Sequence, residues 1–279
     1  MIMSTPQISS FLLIDGTLAG AVPGGPVLSG DGRPGWLHTL YPDEAAAVSP
    51  IVIDMDAAQI ASQLDQMMAL VNAVRPQLHV SIIDTALSHV QLIEHLRHFC
   101  SIRTELGKTF TLRFADCAVL PVLSTILNPK QWTAILGPVT RWCVHGRDGA
   151  LLTLPLADAA IPPAPTPLLL TSQQLEELAE ATAPDMLIAH IRDARHGDDL
   201  PGTVAEQHLW ATEAHLAWRA AGNADDLVLR WLTAAALDTQ GAVLRLRSLH
   251  ALLAQPEQGA IRAGLLAEVV ACQSKDPFL

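Results

Sequence analysis

An aspartate pair, Asp54-Met55-Asp56, closes the apolar run Ile51-Val52-Ile53. A strand ending in D-x-D can present one carboxylate as a nucleophile and the other as a general acid beside Mg²⁺, because carboxylate oxygens suit that hard cation. Such chemistry also needs a lysine for the phosphoryl group and a second acidic pair. The chain has three lysines, Lys108, Lys130 and Lys275, and the adjacent aspartates Asp198-Asp199 lie far downstream, past the proline-rich stretch. The competing reading is architectural: Asp54 ends a strand and Asp56 caps the helix that follows.

His89, His95, His98 and Cys100 form the densest set of metal-capable side chains. His95 and His98 share a helix face, but Glu94-His95-Leu96-Arg97-His98 is not H-E-x-x-H, so a zinc pair with its general-base glutamate is not spelled out. An ordinary helix carrying two histidines explains the same residues. Gly30-Asp-Gly-Arg-Pro-Gly35 matches G-x-G-x-x-G in form, yet Pro34 and Trp36 follow where a dinucleotide site needs a helix to open. Neither a G-x-S-x-G elbow nor a P-loop lysine is present. The expectation is a protein without a catalytic set, a cofactor or a metal.

The elements that would carry these residues fall into two styles. Short apolar runs at residues 10–14, 50–53, 78–83, 109–114, 139–144 and 150–154 suit buried strands. Between them, residues 56–74, 85–100 and 116–127 carry apolar side chains at three- and four-residue spacing, which predicts helices. Residues 16–35 hold seven glycines and three prolines and read as a long loop. Strands alternating with helices imply a mixed α/β (α+β) lobe. Residues 161–167 hold four prolines, which favours an extended linker. Beyond it the pattern is wholly helical: a helix capped by Thr171 or Ser172, then helices over 184–195, 202–221, 224–239, 242–254 and 257–272. The expected organisation is an α/β lobe over 1–155, a linker over 156–170 and an all-α lobe over 171–279.

Composition narrows the function classes. Half of the 279 residues are apolar and 16% are charged, so a large core is affordable and disorder is not expected. The net charge is −11, and no segment has the basic excess of a nucleic-acid binder. Cys100, Cys117, Cys143 and Cys272 are widely spaced, which suits reduced thiols rather than a disulfide framework. The apolar stretch at 150–170 contains five prolines and Asp158, unlike a membrane span. No lysine or arginine precedes Arg33, so a signal peptide's basic start is missing and a cytoplasmic location is expected.

The order of several short segments resembles a known family. Phe11-Leu-Leu-Ile-Asp15-Gly16 comes first, then Leu40-Tyr41-Pro42, and Ser49-Pro50-Ile-Val-Ile. A helix with His95-Leu-Arg97-His98-Phe99 follows, then Thr111-Leu-Arg113-Phe114-Ala-Asp116, and Leu136-Gly-Pro-Val139 leading into Arg141-Trp142. Across residues 10–145 this is similar to DUF4123, a domain found in adaptor chaperones of the bacterial type VI secretion system. The chain departs from the family pattern at Ser49 and Ile51, where Gly and Trp are usual, and at Ala115, where Tyr is usual. The resemblance implies a non-enzymatic protein that binds a cognate toxic effector and helps load it onto the VgrG spike. The expected cargo is an amphipathic segment, held by apolar anchors at helical spacing. Asp15, His95, Arg97, Arg113, Asp116, Arg141 and Trp142 are the candidate family-motif or interface residues. For Arg97, Arg113 and Arg141 there is a plainer reading, as internal partners of Asp15, Asp84 or Asp116. A Mg²⁺-dependent phosphotransferase using Asp54 and Asp56, or a purely structural secretion component, are the alternatives.

Overall fold

The computed structural model describes residues 7–19, 28, 30–74, 79–196 and 199–274. Much of the glycine-rich loop, together with Leu78 and Asp198, lies outside them. The chain divides into two compact units, one ending at Glu180 and the other beginning at Ala181.

In chain order the first unit contains β1 (Ser9–Ile14), α1 (Gly16–Ala19), β2 (Leu37–Thr39), a 3-10 turn (Asp43–Val48), β3 (Ile51–Asp54), α2 (Met55–Ile60), α3 (Leu64–Ala73) and β4 (Val80–Thr85). It continues with α4 (His89–Arg97), β5 (Ser101–Thr104), β6 (Thr109–Thr111), α5 (Leu120–Ile126), α6 (Pro129–Leu136), β7 (Val139–His145), β8 (Leu151–Thr153) and β9 (Leu168–Leu170). Six strands form an antiparallel sheet in the order β2-β3-β1-β4-β7-β8. A smaller sheet has the order β6-β5-β9, with β9 parallel to β5.

β1 shows why an unbroken apolar run makes a strand here. Successive side chains point to opposite faces. Phe11 and Leu13 enter one core with Leu92, Leu96, Ile135 and Trp142, while Leu12 and Ile14 enter another with Ile51, Met67 and Leu70. Both faces of the sheet are covered by helices, so neither alternate set of residues needs to be polar. The expected α/β lobe is therefore present, followed by a helical region.

Several boundaries differ from the sequence expectation for local reasons. The helix expected over 56–74 is two helices, because Ser62 adopts a left-handed conformation (φ 56°) and Gln63 accepts a hydrogen bond from the Trp36 indole at 2.7 Å. The helix expected from residue 85 starts at His89, where Ser88 and Gln91 form a reciprocal capping box. The strand expected over 109–114 stops at Thr111, and the helix expected from 116 opens at Leu120 after a turn. α6 was not expected, although Asn128, Pro129 and Gln131 make a capping box with proline in the first turn. β9 lies within the stretch read as a linker and pairs Leu168 with Ile102.

α7 (Ser172–Ala194) begins in the first unit, where Thr171 and Gln174 cap it reciprocally. It runs through Pro184 as one helix, where two were expected. An interior proline removes one backbone donor and crowds the carbonyl four residues earlier, yet the helix continues past Pro184 to Ala194. The second unit then contains α8 (Val204–Ala220), α9 (Asp226–Asp238), a 3-10 turn (Ala242–Arg245), α10 (Leu249–Leu253) and α11 (Gln258–Gln273). The helix expected over 242–254 is thus split in two. The core of this unit is built from Trp210, Ala214, Leu232, Ala236, Val243, Leu253 and Ile261. Trp210 is seated against Gly202 and Gly241, both at positive φ, and any Cβ there would fall within 2.8 Å of its ring.

Candidate functional site

Strand register gathers the motif residues at one end of the large sheet. Ile14 is opposite both Ile51 and Val80, and Thr39 is opposite Ile51. The segments just beyond these residues, carrying Asp15-Gly16, Leu40-Tyr41, Ser49-Pro50 and His79, therefore meet. Leu40 donates its N–H to the Pro50 carbonyl at 3.0 Å, and the Ser49 hydroxyl accepts from Tyr41 N at 2.9 Å. A Cβ on Gly16 would lie 2.0 Å from the Ser49 carbonyl oxygen, so only glycine permits this approach.

A chain of charged groups runs across that end. Asp15 Oδ1 accepts from the Thr17 amide (2.9 Å) and hydroxyl (2.7 Å). Its Oδ2 accepts from Arg113 Nε (3.0 Å) and Nη2 (2.7 Å). Arg113 Nη2 also lies 3.3 Å from Asp116 Oδ2. Asp116 Oδ1 is 2.7 Å from His79 Nε2 and accepts from Ala118 N at 2.9 Å. Asp15 and Asp116 are both buried. Burial alone would push the Asp116 carboxyl up; the His79 hydrogen bond and charge, the Ala118 amide and Arg113 outweigh it and hold it below its ordinary value. Burial, reinforced by Asp116, pushes the neighbouring Cys117 thiol up to about 12, so it stays protonated at neutral pH.

The remaining motif side chains are also spent on internal ties. Arg97 donates from Nε to the Leu40 carbonyl (3.0 Å) and from Nη2 to that of Thr39 (3.4 Å). The sequence reading had offered it a carboxylate, and it takes carbonyls instead. His95 donates from Nε2 to the Ile135 carbonyl at 2.8 Å and meets Phe99 edge-on. Its burial lowers its pKa, an effect the Ile135 bond opposes. Arg141 bonds Asp84 through Nε at 2.6 Å at the opposite end of the sheet, where Ser10 also donates to Asp84 at 2.7 Å. Trp142 is fully buried beside Ile83.

The D-x-D pair is resolved differently from its architectural reading. Asp54, not Asp56, caps α2, accepting from Ala57 N at 2.9 Å, because α2 opens at Met55, directly after the last residue of the strand. Asp56 stands exposed in the first turn. His89 leaves the His95 and His98 neighbourhood and faces Asp54 at 3.8 Å. Among the described residues no three histidine, cysteine or acidic side chains converge as a metal-holding group. A cavity of about 390 Å³ beside β5 and β9 is lined by Arg103, Thr104, Glu105, Thr166, Pro167 and Leu169, none of them a motif residue. His79, Thr17 and His38 were missed as partners. Each stands alone in the sequence, and only strand register could have brought it to the others.

A scaffold whose motif residues tie its own loops together defines the class: an α/β domain followed by helices. Residues 11–134, slightly less than half of the chain, match the family described as "Domain of unknown function (DUF4123)". No curated protein and no solved structure gives a significant match. Among the described residues no helix is long and apolar enough to cross a membrane.

Proposed function

We propose that this protein is a type VI secretion adaptor chaperone that binds and stabilises a cognate toxic effector in the producing cell and helps load it onto the VgrG spike. The observation that carries this reading is the DUF4123 domain itself, whose motif residues Asp15, Gly16, Arg97, Arg113 and Asp116 serve as internal braces. A binding scaffold needs a rigid frame and contact surface rather than a reactive centre. The net charge of −11 keeps such a frame soluble and favours partners with a basic complement.

The test is co-expression with a toxin encoded beside this gene and with the neighbouring spike. The expected result is a stable complex of toxin and chaperone, with soluble toxin lost when this chain is omitted. Equal solubility and equal spike loading without it would overturn the reading.

A further inference from the structure

α4 is tied to one strand at both ends, by two bonds of different chemistry. Near its C-terminus Arg97 reaches the carbonyls of Thr39 and Leu40, and a guanidinium keeps its proton at any physiological pH. At its N-terminus His89 lies flat on His38 of β2, with ring centroids 4.8 Å apart and planes 8° from parallel. His38 is opposite Val52 in the ladder, so its backbone is fixed to the sheet. Its Nε2 is buried and has no hydrogen-bond partner among the described residues. Asp54 Oδ2 lies 3.8 Å from His89 Nδ1, while Oδ1 is engaged by the α2 cap.

We propose that the His38–His89 stack is an acid-opened latch: when both rings are protonated, the first turn of α4 leaves β2 while the Arg97 end stays attached. Two neutral imidazoles stack without penalty, and Asp54 can balance one positive ring. A second positive ring within 5 Å is repelled, and its Nε2–H would have no acceptor. The charged and titratable groups facing His38 are His89 from α4, Arg33 from the segment before β2 and Asp54 from β3. Arg33 is itself paired with Asp43 at 3.2 Å. His95 and His98 lie further along α4. Burial, then His89 and Arg33, hold His38 below its ordinary value of 6.5, against the pull of Asp54. With a lowered folded pKa, the unfolded chain binds the proton more readily, so the stack's contribution is present above that ordinary value and is lost as pH falls below it.

Amide hydrogen exchange on the full chain at about pH 7.5 and about pH 5.5, corrected for intrinsic rates, tests the latch. The Leu92 and Ile93 amides, in the first turns of α4, should lose about tenfold protection in acid, while those of His98 and Phe99 change less than about twofold. His89→Phe keeps a flat ring on His38 but removes the second charge, and should abolish the acid response. His38→Phe does the same from the strand side, and His95→Gln should leave the response intact. Equal acid response at both ends of α4, or an unchanged response in both phenylalanine variants, would overturn the proposal.

Discussion

The two compact units bury polar groups in opposite ways. The first encloses carboxyl groups: Asp15 and Asp116 are 4% and 9% exposed, joined through Arg113, with His79 on Asp116. The second buries Gln207, His215, Thr233 and Thr239 but no carboxylate among its described residues, and its strongest pair, Arg195 with Asp238, stays about a third exposed. Its order comes from apolar fit, such as Trp210 between two glycines. The segments that carry the family resemblance all lie in the unit with the charged interior. Buried charges fix which loops meet, because a misplaced partner leaves a carboxylate unpaired. Apolar helix packing accepts many sequences of the right volume, which is why the helical unit carries little recognisable motif.

The widest gap between the units is expected from one substitution made in each. Gly16→Ala drives a methyl to 2.0 Å from a backbone carbonyl held by the Leu40–Pro50 and Tyr41–Ser49 bonds, so the loops must separate. The cost should be about 3–5 kcal/mol, seen as lost exchange protection across β1 and β4. Gly264→Ala in α11 meets only the end of the Leu252 side chain, Cδ1 at 2.5 Å and Cδ2 at 3.2 Å, which can shift where a backbone carbonyl cannot. Helix propensity returns about 1 kcal/mol there, so the net change should be near zero. Equal losses would mean that the backbone contact at Ser49 is not a fixed wall.

Ion pairs give the next contrast. Arg113→Met leaves Asp15 buried with only Thr17 as a donor, but the guanidinium is half exposed, and water screens what it contributes. A loss of about 2 kcal/mol is expected, short of the roughly 3–5 of a fully enclosed pair. Adding Asp15→Asn should recover part of it. Arg195→Met, breaking a bidentate but part-exposed pair, should cost about 1 kcal/mol. Acid separates the units in the same sense. The folded pKa of Asp116 is depressed, so its contribution is present above its ordinary 3.8 and is lost as pH falls through the lower folded value. Asp116→Asn should flatten acid unfolding of the first unit in a urea titration repeated down to about pH 2, while the helical unit's curve is unchanged.

What could be read from the sequence divides along the same line. Apolar runs such as Phe11–Ile14 announced buried strands because both faces of the sheet are covered, and the stripe in 89–97 announced α4. The pairing of Arg113 with Asp15 was among the options the sequence offered, without a spacing that singled it out. Strands of three residues, β2 and β9, left no periodicity to detect. Register decided the rest. His79 reaches Asp116, and His38 reaches His89, across 37 residues in the first case, and no local spacing encodes such a meeting. Ser62 broke a helix whose apolar stripe continues without interruption, because a positive φ has no hydropathy signature.

The smallest contrast is within a single motif. Asp54 and Asp56 stand two residues apart, and the D-x-D reading treats them as a working pair. The geometry makes them unequal: Asp54 satisfies the Ala57 amide and faces His89, whereas Asp56 is an exposed first-turn acid. Asp54→Ala should cost about 1 kcal/mol, as should Asp225→Ala, the equivalent cap that accepts from Leu227 N at 2.8 Å in the helical unit. Asp56→Ala should cost about 0.5 kcal/mol or less, the dipole contribution alone. Matched losses at Asp54 and Asp225 would mean that a cap is worth the same in either unit, so that the difference between them lies in their interiors. A loss at Asp56 as large as at Asp54, measured by urea unfolding, would instead mean that the two carboxylates act together.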